Sequence, residues 1–553
     1  MSTFVLSGSL YREMVRSGAA NLNKNRDYVN DLNVFPVPDG DTGDNMFMTI
    51  DSGTQAAKNS EELALGKMSE IIARGMLLGA RGNSGVILSR IFSGIAKGLT
   101  GNDSADVRVI GQAFEDSIKE AYGAVSKPVE GTILSVYRDA VTKANSGIAE
   151  ESTLESYFED FIEELHESLA RTPELLDVLK EAGVVDSGAA GLVYIVEGMK
   201  CALDGDSVFS EEKGPVTQAD VIDPEAFTAD SELTWGYCTE FLLRLQNRKC
   251  DPETFSVEEL TAYLNSIGNS VVSFKEGSIV KVHVHTMNPG EVLNHCQKYG
   301  EFLKLKIENM NLQHNESEGA AGAAPVKKEV RMHKKYGTVT VANGEGLIEQ
   351  FKELCADAVI EGGQSMNPSA EAFLKAFEDL NVDEIFVLPN NSNIILTARQ
   401  AAELYKDHPV HIIETRDIGQ GYAVLSMMDT TLPTAEEVME EAKESISGVL
   451  TGMVSKANKN SQMNGVEVRC GDYIGFADDT IYCDTEDRKD AAMRLAVELG
   501  AGDRDIILLF FGKEVPEEEA EELKNELEAR FRNAEVYLAS GGQPIYDYIM
   551  VLK

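Results

Sequence analysis

Residues 33–46 read Asn33-Val34-Phe35-Pro36-Val37-Pro38-Asp39-Gly40-Asp41-Thr42-Gly43-Asp44-Asn45-Met46, and how this stretch is read decides the N-terminal fold and its chemistry. Asp39, Asp41 and Asp44 stand within six residues, and two prolines and two glycines shape the chain around them. Carboxylates at i, i+2 and i+5 of a tight loop can converge on one hard cation. Mg²⁺ takes oxygen ligands, keeps several waters and bridges carboxylates to substrate phosphates. The plainer reading of any Asp-Gly-Asp is a solvated acidic turn. An EF-hand fits poorly, because position 12 counted from Asp39 is Ile50 rather than Glu.

Working outward, Gly79-Ala80-Arg81-Gly82-Asn83-Ser84-Gly85-Val86 is a second glycine-rich stretch. Its glycines let backbone N–H groups approach an anion, and Asn83 and Ser84 add donors. A helix expected to start near Val86 adds its positive end. A simple helix–helix turn is the competing reading. It is not a Walker loop: Gly66-Lys67 is followed by Met68 and Gly512-Lys513 by Glu514, where Ser or Thr is required. Two further segments, Glu130-Gly131-Thr132-Ile133-Leu134 and Asp186-Ser187-Gly188-Ala189-Ala190-Gly191, read individually as helix caps.

Residues 1–203 are mainly helical in pattern. In 155–169, Tyr157, Phe158, Phe161, Ile162, Leu165 and Leu169 recur at helical spacing with acids between them. The glycine-rich stretches 39–43, 79–85 and 186–191 are expected in loops between helices. Composition shifts over 204–233. Residues 204–312 read as a middle α+β domain, in which Val280, Val282 and Val284 alternate with Lys281, His283 and His285 as in a strand. Residues 313–335 are polar with a Gly/Ala-rich centre, a linker by composition. In 336–553, short apolar runs at 338–341, 384–388 and 410–413 alternate with helical patterns, which predicts a parallel α/β sheet. Thr434 and Glu437 form a capping-box pair after Pro433. The fold class is therefore multidomain: all-α, then α+β, then α/β.

The chain has 553 residues, a length for three or four domains. Lys plus Arg is 50 and Asp plus Glu 92, a net charge of −42, which disfavours nucleic acid and anionic membrane surfaces. An anionic substrate then needs a metal or local donors to neutralise it. The seven cysteines are scattered without a C-x-x-C pair, which fits a reducing cytoplasm better than a disulfide framework. Neither a signal peptide nor a spanning segment is expected, and membrane contact is at most peripheral.

Together the four N-terminal elements, in this order, resemble the DhaL or DAK2 nucleotide-binding component of dihydroxyacetone kinase. The stretch N-V-F-P-V-P-D-G-D-T-G resembles most the large bacterial subtype, the ATP-binding component of fatty acid kinase, and the resemblance runs through a DegV-like C-terminal domain. It implies a barrel of antiparallel helices at 1–203 with ATP at one end. It implies Mg²⁺ on Asp39 and Asp41, with Asp44 as a further ligand and Asn33 nearby. Asn45, Gly82, Asn83, Ser84 and Gly85 look like the phosphate cradle, and Thr132 and Asp186 like the closure around the nucleoside. The implied reaction is phosphorylation of a fatty-acid carboxylate presented by a DegV-type carrier protein, by a homodimer in the cytoplasm. A kinase for a small hydroxylated substrate of the dihydroxyacetone type, or a non-catalytic nucleotide or lipid sensor, are the alternatives.

A second metal site is suggested by His283 and His285, two apart on a strand, with Cys238 on a preceding one; two imidazoles and a thiolate begin a tetrahedral Zn²⁺ set. The Y-C-T-E-F and H-V-H-T segments resemble those of the middle domain in fatty acid kinase, where the cysteine and histidines look like a zinc cluster, with Glu240 a further ligand or helper. Polar turns at 343–346, 362–369 and 388–393 follow candidate strands of the C-terminal region. They read either as ordinary turns or as the ligand-binding edge of a sheet.

Overall fold

The computed structural model describes residues 3–37, 40–125, 127–205, 237–246, 248–251, 255–276, 278–309, 333–363 and 366–553. Asp39 and the linker expected at 313–335, save its last residues, lie outside them. The chain forms two compact units: 1–212 together with 332–553, and 213–331.

In the first unit, the N-terminal part is a bundle of helices. These are α1 (Gly8–Lys24), α2 (Arg26–Asp31), α3 (Thr42–Ala57), α4 (Leu65–Gly79), α5 (Gly82–Leu99), α6 (Val107–Gly123), α7 (Ile133–Ser146), α8 (Leu154–Leu175), α9 (Asp177–Ala182) and α10 (Ser187–Leu203). The apolar stripes read from the sequence meet in one core. Tyr157, Phe158 and Phe161 of α8 pack around Phe114 of α6, with ring centroids 5.6–6.3 Å from it. A two-residue β-pair (β1, Leu6–Ser7; β2, Ser104–Ala105) is the bundle's one departure from helix among the described residues.

Two expectations need correcting. The glycines of 186–191 are not in a loop: Gly188 and Gly191 lie inside α10, and α5 begins at Gly82 rather than Val86. The reason is packing. A Cβ at Gly191 would stand 2.6 Å from Met46 Sδ, so the glycine lets α10 cross α3 closely.

The middle unit is a four-stranded antiparallel sheet with helices. Its strands are β3 (Tyr237–Leu245), β4 (Asn269–Glu276), β5 (Ile279–Thr286) and β6 (Gly300–Asn309), in the order β4-β5-β3-β6. Its helices are α11 (Val257–Ile267) and α12 (Pro289–Cys296). Phe241, Leu243, Val280, Val282 and Val284 form its core.

The C-terminal part has two sheets. The first contains β7 (Lys334–Ala342), β8 (Ala358–Glu361), β9 (Val382–Leu388) and β10 (Val410–Ile412), all parallel and in the order β10-β9-β7-β8, as the sequence predicts. Its crossovers contain α13 (Glu345–Glu353), α14 (Ala370–Glu378) and α15 (Ile395–Leu404).

The second sheet departs from the parallel expectation. Helices α16 (Ile418–Met427) and α17 (Ala435–Ser447) lead into it, and α17 starts with the expected Thr434/Glu437 capping box. Strand β11 (Leu450–Lys456), a small hairpin (β12, Ser461–Met463; β13, Val466–Val468), β14 (Tyr473–Ala477) and β15 (Thr480–Thr485) follow. Then come α18 (Arg488–Glu498), β16 (Ile506–Phe511), α19 (Glu517–Arg530), β17 (Glu535–Ser540) and β18 (Tyr548–Leu552). The sheet order is β15-β14-β11-β18-β16-β17, and only β16–β17 is parallel. The β16–α19–β17 crossover accounts for that one parallel pair. The tight turn between β14 and β15 enforces the antiparallel pairing there.

Candidate functional site

The four N-terminal segments singled out by sequence come together at one end of the helical bundle, each at the start of a helix. Asp41 precedes α3, Arg81 precedes α5, Thr132 caps α7 and Asp186 caps α10. Ser187 Oγ of α10 donates to Thr42 Oγ1 of α3 at 3.2 Å. Asp186 accepts from Ala189 N at 2.7 Å and from the Ile133 N–H of α7. The place a Cβ on Gly188 would take is 3.5 Å from both Ser84 Oγ of α5 and Ile133 Cβ. Four helix N-termini thus meet in one polar region, and their positive dipole ends attract anions.

Gly82 has φ +57°, and a Cβ there would lie 2.6 Å from Asn45 Nδ2 and 3.2 Å from Asn367 Nδ2. Only glycine permits both that backbone and the close approach of the two amides. Asn45 itself is buried in the first turn of α3. Burial pushes the Asp186 carboxyl up to about 6, although backbone donors pull the other way. By surface exposure Asp186 is half-buried, so the shift reflects close-packed neighbours rather than full enclosure.

The structure gives Asp44 a different setting from that expected of a third metal ligand. Its Oδ2 accepts from Asn30 Nδ2 at 2.7 Å and its Oδ1 is 3.2 Å from Arg26 Nε. Asn30 Oδ1 in turn accepts from the Gly43 and Asp44 amides. Asp44 therefore fastens the start of α3 to α2. The Thr132 side chain is occupied as a cap: its hydroxyl donates to Val129 O at 2.7 Å and accepts from Leu134 N. Asn33 lies at the loop's root, its carbonyl accepting from Lys459 Nζ.

Sequence reasoning missed that the C-terminal part reaches this site. Asn367, buried just ahead of α14, donates through Nδ2 to Asp41 Oδ2 at 2.6 Å. Arg81 Nη1 donates to Asn367 O at 2.8 Å, and Asn83 Nδ2 to Asn393 Oδ1 at 3.2 Å. Lower down, Gln400 Nε2 donates to Leu77 O at 2.6 Å, and Arg90 pairs with Glu403 and Gln400. On the other side of Asp41, Asn458 holds Pro36 O and Val37 O at 3.2 and 3.0 Å. The one available signal was the position of the polar turns 362–369 and 388–393 after parallel strands.

Asn83 Oδ1 and Asn367 Oδ1 are buried with no hydrogen-bond partner among the described residues. Two orphaned acceptors, the Asp41 carboxylate and a Gly82 cradle form a donor set of hard oxygens and amides. That set suits Mg²⁺ with its retained waters and a phosphate chain, so the residues present fit the metal and nucleotide that the sequence implies.

In the middle unit, Cys238 pairs in register with His285, and Glu240 with His283, between β3 and β5. Directly opposed residues share a face of the ladder. The alternate positions Thr239, Phe241, Val282 and Val284 are buried. No helix among the described residues is long and apolar enough to cross a membrane.

Residues 36–201 match the DAK2 domain, 234–317 the middle domain of FakA-like proteins of fatty acid kinase, and 337–553 the C-terminal domain of the same proteins. Over 564 residues, covering all of both chains, the sequence is 38% identical to Protein YloV of Bacillus subtilis (strain 168). The chain belongs to the FakA-like family of fatty acid kinase, whose members carry a DAK2 domain. An uncharacterized protein of Staphylococcus epidermidis is 35% identical over 99% of each chain. Among solved structures, DegV, a fatty acid binding protein from Bacillus subtilis, covers 40% of this chain and 99% of its own. It aligns at 13% identity and a TM-score of 0.31, too low to bear on function.

Proposed function

We propose that the chain is the ATP- and Mg²⁺-dependent component of a fatty acid kinase. In this reading a carboxylate oxygen of a fatty acid, presented by a DegV-type carrier, attacks the γ-phosphorus of ATP. The bond to the β-phosphate oxygen breaks, and acyl phosphate and ADP result. The observation that carries this reading is the meeting of four helix N-termini beside Asp41. A chain with a net charge of −42 repels nucleotides, so a concentrated set of amide donors and a cation is what lets it hold one.

Asp39 and Asp41 are the proposed Mg²⁺ ligands, with Asp44 orienting the loop through Arg26 and Asn30. The Gly82–Gly85 turn with Asn45, Asn83 and Ser84 is the proposed phosphate cradle. Asn33, Thr132 and Asp186 shape its surroundings. Phosphoryl transfer asks for placed metal and donors rather than a protein nucleophile. A carboxylate acceptor is ionised at pH 7, so the reaction needs no dedicated strong base. We further propose that the C-terminal domain docks the carrier, that Cys238, His283 and His285 hold Zn²⁺, and that the protein acts as a cytoplasmic homodimer.

The test is ATP consumption by the purified protein with oleate and Mg²⁺, with and without a DegV-type carrier. Carrier-dependent turnover that Asp41→Ala lowers by at least about 10²-fold is expected. Full activity of Asp41→Ala would refute the metal assignment. Tight Mg²⁺-nucleotide binding without turnover on any carrier would point to another acceptor or a sensing role.

A further inference from the structure

We infer that Asn367, contributed by the C-terminal domain, is a positioning residue of the N-terminal metal site, so that the site is complete only when the two halves of the chain are closed on each other. The inference rests on the proposed metal role of Asp41.

Asn367 is 2% exposed, and its two amide atoms have different circumstances. Nδ2 donates to Asp41 Oδ2 at 2.6 Å, and Oδ1 is buried without a partner among the described residues. A buried acceptor left unmade costs free energy unless something at the site donates to it. Metal-bound waters are donors, and Mg²⁺ keeps several. The same amide therefore fixes the orientation of the carboxylate and presents an acceptor toward the coordination sphere. Asn83 repeats the arrangement, with Nδ2 on Asn393 Oδ1 and a buried Oδ1 free of protein partners among the described residues.

Asn367 is itself held in place. Arg81, immediately before the Gly82 cradle, donates to its carbonyl. Two residues on, Ser369 caps α14, and the first amide of that helix donates to Ala80 O at 3.2 Å. Strand β7 and its neighbours thus deliver a rigid loop to Asp41, rather than a side chain that happens to reach it. Outer partners of metal ligands set the ligand's orientation and are worth about 10- to 100-fold in metal affinity when removed.

The test measures Mn²⁺ binding to the full-length protein in the presence of ADP, from the loss of the free-Mn²⁺ paramagnetic resonance signal. Variants are Asn367→Ala, Asn367→Leu, Gln400→Ala, Asp41→Ala and Asn367→Ala/Asp41→Ala. Asn367→Leu fills nearly the same space without an amide, which covers the case in which Asn367→Ala folds poorly. Gln400→Ala breaks the same domain seam away from Asp41. Both Asn367 variants are expected to weaken Mn²⁺ about tenfold or more, Gln400→Ala less than about twofold, and the double variant no more than Asp41→Ala alone. Equal losses in Gln400→Ala and the Asn367 variants would reduce Asn367 to a docking contact and overturn the inference. So would wild-type affinity in the Asn367 variants when Asp41→Ala abolishes binding, and in that case the metal reading survives. Wild-type affinity in Asp41→Ala would instead remove the metal reading and, with it, this inference.

Discussion

Asp186 is both a helix cap and a carboxyl with a raised affinity for protons. Its ordinary value near 3.8 rises to about 6 in the fold, because neighbouring protein displaces water from the charged form. The folded state therefore holds this proton more tightly than the unfolded chain does. The favourable effect on stability is complete below about pH 4, is lost as pH rises toward 6, and stays absent above that. Asp186→Asn keeps a good N-cap but cannot ionise. Its melting temperature relative to wild type should rise between pH 4 and about 6.5 and then level off. An offset of the same size at pH 4.5 and pH 7 would show that the shift is absent. At this scale the sequence was readable where one residue type serves one local need: Thr132 and Asp186 are caps, as their neighbours in the chain suggest. Asn30, Arg26 and Asn367 were not readable, because nothing local distinguishes an asparagine that holds a remote carboxylate from one in a turn.

Between helices, the informative features are the ends and the crossings. The starts of α3, α5, α7 and α10 make the site, and the crossing of α10 over α3 allows them to meet. Sequence showed the glycines of 186–191 but not their use, since a loop and a tight helix crossing ask for the same residue. Gly191→Ala tests the crossing. Its Cβ would press on Met46 Sδ, and overpacking of this kind costs about 1–3 kcal/mol, measurable by urea unfolding. No loss would mean that the helices part freely. In the middle unit, the alternation of 278–285 was legible because one strand face is buried. The register that sets Cys238 against His285 was not, because it depends on which strands pair. His283→Ala should release zinc measured by elemental analysis of the purified protein. Zinc unchanged in the variant, or absent from wild type, would dismiss that site.

Across the whole chain, the decisive feature is that residues 33–37 are rooted in a domain hundreds of positions away. Val37 is 1% exposed and belongs to the core of the C-terminal domain, and the Phe35 ring meets Phe476 edge-on at 5.1 Å. The strands of that domain were legible in part: the first sheet through its parallel α/β rhythm, the second hardly at all, because its short strands carry weak alternation. The contact with the N-terminal loop was invisible, since Phe35, Pro36 and Val37 read as local shaping of a turn. This arrangement makes a remote core residue matter to the site. Phe476→Ala should destabilise the protein by about 3–5 kcal/mol, as for other buried aromatics, and also weaken Mg²⁺-nucleotide binding, because the loop carrying Asp41 loses its anchor. Phe377→Ala removes a comparably buried ring from a different part of the same domain, away from residues 33–37. It should lose comparable stability and keep its nucleotide affinity. Urea unfolding and a nucleotide titration on both variants separate the two effects: loss of stability alone follows from any core cavity. A weakened affinity in Phe476→Ala but not in Phe377→Ala requires that the anchor of the metal loop lies in the C-terminal core. Equal affinities in the two variants would mean that the loop holds its shape without that anchor.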